Sequence, residues 1–262
     1  LRPARRVRRG AACGFLHDEA EKLRRLSAHR HLPMLALVAA RYLAHVAGVR
    51  VRAIYYGALE MTPPKGNTPV LRLDGMLQML DWVEALATFD KDGDYGVFEP
   101  LLAADGMAAD RAAQLGRASY FERTSNPVKA RECIGSALPA LQEHQGSLAA
   151  LFKDALGQRI AWHRGQSRHE WELALADAYL GRRDYLRATI LLYEAFVSRA
   201  AYEQKRNHND YHEREEAWEA AKQGNRQACR LEYLRNALTH GIKPSDREIA
   251  RLVSDEQQLA ER

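Results

Sequence analysis

The sequence predicts a mainly α-helical protein carrying a small Rossmann-like α/β layer near its start. Three observations support this. Helical apolar periodicity recurs from Met76 to His240, and β-branched alternation is confined to the stretches around Val49–Tyr56 and Thr68–Leu73. A helix opened by a proline precedes the first of these stretches, the order expected of an α/β layer. With 262 residues, 46% of them apolar and 28% charged, the chain has material for a sizeable core and is not globally disordered. The net charge of +5 is compatible with a nucleic-acid partner, although much of the excess sits in the first residues. No apolar run reaches membrane-spanning length, so no membrane partner is expected. The longest early run, Leu32–Ala40, lies too far inside the chain for a signal peptide. Cys13, Cys133 and Cys229 are widely spaced, which fits reduced thiols in a cytoplasmic protein better than a disulfide framework or a zinc site.

Residues 1–27 read as an Arg-rich atypical or disordered segment. Arg2, Arg5, Arg6, Arg8, Arg9, Arg24 and Arg25 crowd it without sustained periodicity. From His31 the character changes. Pro33 stands at a helix start, and Met34, Leu35, Leu37, Val38, Tyr42, Leu43 and Val46 form a broad apolar face that Gly48 ends. Val49–Tyr56 reads as a strand closed by Gly57-Ala58, and the Pro63–Asn67 loop leads to a second short strand, Thr68–Leu73. In such a layer ligands sit beyond the strand C-termini. Residues 28–74 are therefore read as one α/β part and 75–262 as helical.

Beyond Asp74 helices are expected over about 76–89, 97–115, 128–156, 166–180, 184–203, 209–222 and 226–240. Asp90–Asp94 reads as a solvated turn, since the spacing and bidentate Glu of a calcium loop are missing. His208 and His212 stand four apart, a spacing able to hold zinc on a helix, but the Glu of the H-E-x-x-H pattern is absent and charged residues follow. His163-Arg164 and Arg168-His169 mark a polar helix junction or one wall of an RNA groove. No Ser-His-Asp set, P-loop or dinucleotide fingerprint occurs.

The chemically informative stretch is Leu234–Gly241. Arg235, Asn236 and His240 fall in the last turns of a helix, with Gly241 at its C′ position and Pro244 beyond. Arg supplies a permanently charged fork for phosphate, and His trades protons near neutral pH, a pair suited to phosphodiester cleavage without a metal. Bare Arg-to-His spacing recurs at Arg24–His29, Arg164–His169 and Arg206–His212. The late copy is distinguished by Asn236, Gly241 and its amphipathic helix. A His at a helix C-terminus also serves as a dipole partner of its own helix.

In these residues the chain resembles the HEPN ribonuclease domain, whose motif is Arg, often Asn, three residues, then His. A second resemblance lies upstream. His31–Leu37, Ile54–Glu60, Thr68–Leu73, Leu80–Leu86 and Gly93-Asp94 form an ordered series similar to the C-terminal part of the CARF (CRISPR-associated Rossmann fold) module and the helices after it in type III CRISPR effectors of CARF–HEPN type. It covers roughly residues 30–103. The implied fold is a remnant of a Rossmann-like CARF α/β layer followed by an all-α HEPN domain. The implied function is a metal-independent endoribonuclease needing no cofactor, cutting single-stranded RNA by 2′-OH attack and activated allosterically by cyclic oligoadenylate. The resemblance assigns catalysis to Arg235, Asn236 and His240, implies a homodimer with half a site per chain, and places nucleotide binding at Arg30, His31, Tyr56, Gly57 and Ala58. One departure stands out. The family reads Asp-hydrophobic-Thr/Ser-His-Gly ahead of the Pro-Met helix, where this chain has Arg24-Arg25-Leu26-Ser27-Ala28-His29. A truncated or frame-shifted N-terminus is the expectation, testable in the gene. Two other readings stay open: a non-catalytic helical binding module, and a remnant whose nucleotide switch no longer works.

Overall fold

The computed structural model describes residues 31–58, 61–241 and 244–260, so Arg30 and the Arg-rich segment 1–27 lie outside the described residues. The chain divides into two compact units, residues 1–80 and 81–262. The described residues are mainly helical, with one small two-stranded sheet.

In the first unit, helix α1 spans Leu32–Ala47 with Pro33 in its first turn, where a missing N–H costs nothing. Gly48 ends it in the left-handed conformation (φ 64°) and donates its N–H to the Leu43 carbonyl. The broad apolar face expected of this helix is not a core face. Leu37 and Ala40 are buried, but Met34, Val38, Tyr42 and Val46 are exposed. Strand β1, Tyr55–Gly57, pairs antiparallel with β2, Val70–Arg72, in the register Tyr55–Arg72, Tyr56–Leu71 and Gly57–Val70. Both strands are shorter than their alternation predicts. Ladder hydrogen bonds require a partner, and bonds from Leu73 N–H to the Ile54 carbonyl and from Ala58 N–H to the Pro69 carbonyl (2.9 Å each) bracket the three paired rungs.

Helix α2, Asp74–Asp92, carries the unit boundary. In the second unit the chain continues through a 3₁₀ turn (Tyr95–Phe98), α3 (Glu99–Ala104), α4 (Ala109–Arg123), α5 (Pro127–Glu143), α6 (Ala149–Arg159), a second 3₁₀ turn (Ala161–Arg164) and α7 (Arg168–Gly181). Then come α8 (Tyr185–Glu203), α9 (Tyr211–Lys222), α10 (Arg226–His240), α11 (Arg247–Leu252) and α12 (Glu256–Ala260). Side-chain caps set several starts: Asn126 on α5, Asp184 on α8, Asp210 on α9 and Asp246 on α11 each accept N–H bonds from the first turn.

The single helices expected over 97–115 and 128–156 are each broken. Asp105 explains the second break: its carboxylate accepts the Ala149 N–H (2.9 Å) and approaches His144 Nε2 (3.4 Å), capping α6 from a distant loop. Gly106, at φ 99°, turns the chain after α3.

The main core joins α2 to α8 around Trp82, Phe89, Phe98, Leu115, Ile134 and Leu175, all nearly solvent-free. Trp82 stacks on Phe152, with ring centroids 5.3 Å apart. Two small satellites extend the core toward the chain end: Val197, Trp218 and Ala228 with Tyr193, and Ala200, Ala201 and Ala217. Helix α8 packs against α7, α9 and α10, so it is the wall that positions the late helices.

Candidate functional site

Helix α10 is defined at both ends by sequence-local chemistry. Asn225 accepts the N–H groups of Gln227 and Ala228 (3.1 Å each), which is an N-cap. Gly241 closes the helix at φ 61° with its N–H on the Ala237 carbonyl. The apolar side, Ala228, Leu231 and Leu234, lines a cavity of about 500 Å³ together with Phe196 of α8 and Ile249 of α11. Ala228 packs with Val197 of α8 and Trp218 of α9, which seats α10 on α8 and sets the direction of its polar positions.

Arg235 is half-buried. Its guanidinium lies over the Tyr193 ring of α8 at 4.3 Å from the centroid, and its Nε has no hydrogen-bond partner among the described residues. Burial pushes the Tyr193 hydroxyl above its ordinary value, and the adjacent Arg235 guanidinium opposes that rise. Tyr193 in turn meets Trp218 of α9 edge-on, with centroids 4.9 Å apart. Arg235, Tyr193 and Trp218 form a short ladder along one wall of a second cavity of about 550 Å³.

His240 does not share that wall. Five positions along a helix correspond to about 7.5 Å of rise and roughly 140° of rotation. His240 is the exposed last residue of α10, while Arg235 lines the cavity. Asn236 is half-buried and stands one turn before His240 on the same side of the helix. Within one chain, then, Arg235 is held by α8, and His240 and Asn236 share a different, more open face.

The expected nucleotide-binding residues lie in the first unit. His31 is exposed and occupies the N-cap position of α1 without a side-chain cap bond. Tyr56 is half-buried in β1, Gly57 is exposed, and Ala58 is buried with its N–H committed to the Pro69 carbonyl. Arg30 is outside the described residues.

A buried ionic network backs the cavity, and sequence reasoning did not single it out. Glu172 of α7 is fully buried and accepts from Arg168 Nε (2.7 Å) and from the Ser198 hydroxyl. Arg214 of α9 donates to that same hydroxyl (2.7 Å), to Glu194 and to the His208 carbonyl (3.1 Å), which Arg168 also reaches (2.9 Å). Burial raises the Glu172 carboxyl above its ordinary value, with Arg168 pulling the other way. His208 lies in the turn before α9 and His212 in the first turn of that helix. Burial and then the Arg168 and Arg214 charges hold the His208 imidazole below the usual range. No group of three or more metal-ligating side chains converges among the described residues. The available signals for this network were the i, i+4 pair Arg168–Glu172 and polar residues at the core-facing positions of α8.

His163 and Arg131 make the 161–164 turn a packed junction. The Arg131 guanidinium covers Trp171 at 4.3 Å and its Nε donates to the His163 carbonyl (2.9 Å).

Comparison with known proteins adds one point. Over 104 residues, 38% of the chain, the sequence is 24% identical to the CRISPR-associated protein MJ1674 of Methanocaldococcus jannaschii. The chain is similar to a CRISPR-associated protein. The matched stretch spans 16% of that protein's length. No protein-family model and no solved structure matches the chain. Among the described residues no helix is long and apolar enough to cross a membrane.

Proposed function

We propose that this chain is a CRISPR-associated effector whose helical part, residues 75–262, is a metal-independent endoribonuclease of HEPN type. The observation that carries the reading is Arg235. Among the described residues it has no carboxylate partner and its Nε makes no hydrogen bond, yet it is clamped on Tyr193 beside a cavity, one and a half turns from His240. A guanidinium held this way is a pre-oriented anion handle, and pre-orientation is what electrostatic catalysis of phosphoryl chemistry needs. The similarity to a CRISPR-associated protein supports the same reading.

The chemistry assigned to the residues is as follows. The substrate's own 2′-OH attacks phosphorus and the 5′-oxygen leaves, giving a 2′,3′-cyclic phosphate and a 5′-OH. Arg235 neutralises charge on the non-bridging oxygens, His240 transfers or orients a proton, and Asn236 hydrogen-bonds the phosphate. His240 and Arg235 leave α10 on different sides, an arrangement that suits a site completed by the motif of a second copy in a homodimer. The 28–74 part, with Arg30, His31, Tyr56, Gly57 and Ala58, is assigned to cyclic oligoadenylate. That activator is allosteric, and the reaction requires no cofactor. A cytoplasmic location follows from the RNA substrate and the free thiols.

One observation favours a second reading, a non-catalytic binding module. The Arg235–Tyr193 contact is also a sound packing interaction, worth keeping for stability alone.

The deciding experiment is cleavage of labelled single-stranded RNA in EDTA, with and without cyclic tetra- or hexa-adenylate. His240→Ala is expected to lose about 10²–10⁴ in rate with unchanged thermal stability. Wild-type cleavage that His240→Ala retains in full removes the nuclease reading, as does a folded dimer that cleaves nothing.

A further inference from the structure

We infer that the 550 Å³ cavity beside Arg235 is a nucleobase subsite that prefers an amino-bearing base to uracil. This deepens the nuclease reading and rests on it for the identity of the ligand as RNA.

The walls combine three arginines with four glutamates, so the cavity has little net charge to offer a second phosphate. The arginines deeper in the wall are already committed. Arg168 is bound to Glu172, and Arg214 to Glu194 and Ser198. Arg235 alone of the three has no carboxylate partner among the described residues. An anion therefore belongs at Arg235, and what occupies the cavity next to it must be neutral and polar. A nucleobase attached to that phosphate through its ribose meets both requirements.

The remaining lining fits a base. Tyr211, 71% exposed, provides an open aromatic ring, and Tyr193, with Arg235 over its face, lines the wall beside it. Trp218 is 4% exposed and packs edge-on against Tyr193, so it shapes the wall without offering its buried indole N–H to the cavity. Glu194, Glu219 and Glu232 already hold Arg214 and Lys222. Glu215, which also lines the cavity, has no such pairing among the described residues. The lining thus offers an unpaired carboxylate acceptor, Glu215, beside the Arg235 guanidinium. Adenine, guanine and cytosine bring an exocyclic amino group that donates to a carboxylate. Uracil brings one N–H flanked by two carbonyls, which carboxylates repel.

The test separates binding from cleavage. The full chain is titrated calorimetrically with adenosine 3′-monophosphate, uridine 3′-monophosphate and inorganic phosphate. Adenosine 3′-monophosphate is expected to bind about tenfold more tightly than the uridine nucleotide, the scale of one satisfied hydrogen bond. Inorganic phosphate is expected to be weaker than both. Glu215→Ala, which removes the acceptor at an exposed position, should weaken the adenosine nucleotide toward the uridine value without altering the circular dichroism spectrum. Tyr211→Ala should weaken both nucleotides together. Equal binding of the two nucleotides, or binding of the adenosine nucleotide no tighter than phosphate, overturns the subsite. RNA cleavage in EDTA, run beside it on substrates differing in one base, keeps the two ideas apart. Base-selective binding without cleavage removes the nuclease and leaves the subsite. Cleavage indifferent to the base removes the subsite and leaves the nuclease.

Discussion

Glu122 offers a prediction about the scaffold that depends on no functional assignment. It lies on α4 inside the main core, 3% exposed, and accepts one hydrogen bond from Tyr179 (2.8 Å). Tyr95 and Trp162 approach the carboxyl, but neither Tyr95 Oη nor Trp162 Nε1 completes a hydrogen bond, and Glu122 Oε2 is left without one. Burial raises the carboxyl from 4.5 to about 7, and Tyr179, Tyr95 and the Arg182 charge only partly oppose the rise. The folded form thus holds its proton where the unfolded chain has released it. Stability from this group is fully present below the unfolded value of 4.5 and is lost as pH climbs through about 7. The difference corresponds to about 3 kcal/mol between pH 4.5 and pH 8. Glu122→Gln preserves shape and a polar group but cannot ionise. Urea unfolding of both proteins, followed by circular dichroism from pH 5 to 8.5, isolates the effect, because other titrating groups cancel in the difference. At pH 5 the two should lie within about 1 kcal/mol, Gln being slightly worse for its altered bond to Tyr179. At pH 8 Gln should be the more stable by about 2 kcal/mol. A difference that is flat with pH, or a glutamine variant less stable at pH 8, would refute the account of a desolvated carboxyl.

Three further outcomes follow from the same reasoning. Glu172→Ala leaves Arg168 and Ser198 without their buried acceptor and should cost about 3 kcal/mol or more in urea unfolding, whereas Asp177→Ala, on the exposed side of α7, should cost under about 0.5 kcal/mol. Asn225→Ala removes the two cap bonds at the start of α10 and should cost about 1 kcal/mol, read as a lower thermal midpoint. Arg235→Lys retains the charge but loses the planar fork over Tyr193. RNA cleavage by this variant should fall about 10²-fold, the scale of losing one oriented donor, with little change in thermal midpoint; full activity would show that orientation by Tyr193 is unimportant.

Local chemistry made much of the helical part legible. The expected helix over 226–240 coincides with α10, and those over 166–180, 184–203 and 209–222 differ from α7, α8 and α9 by no more than two residues at an end. Asn and Asp caps, left-handed glycines and 3.6-residue periodicity act over a few neighbours, so they can be read in order along the chain. The errors share a different cause. The break between α5 and α6 depends on the carboxylate of Asp105, about forty positions away. Pro139, by contrast, sits inside α5 without ending it. Val49–Ile54 alternates like a strand but stays outside the ladder, because β2 supplies partners only for Tyr55–Gly57. Each is a question of what lies opposite.

The candidate site divides along the same line. The motif residues Arg235, Asn236 and His240, and the helix end that spaces them, were determined by sequence, because cap and C′ chemistry are local. Which of those side chains meets a cavity was decided by tertiary packing. Ala228, packed with Val197 and Trp218, seats α10 on α8, with Arg235 over Tyr193 and His240 in the open. The buried network of Glu172, Ser198 and Arg214 has no counterpart in any short stretch. Its members come from three helices, and burial turns side chains that would be solvated on isolated helices into mutually dependent partners.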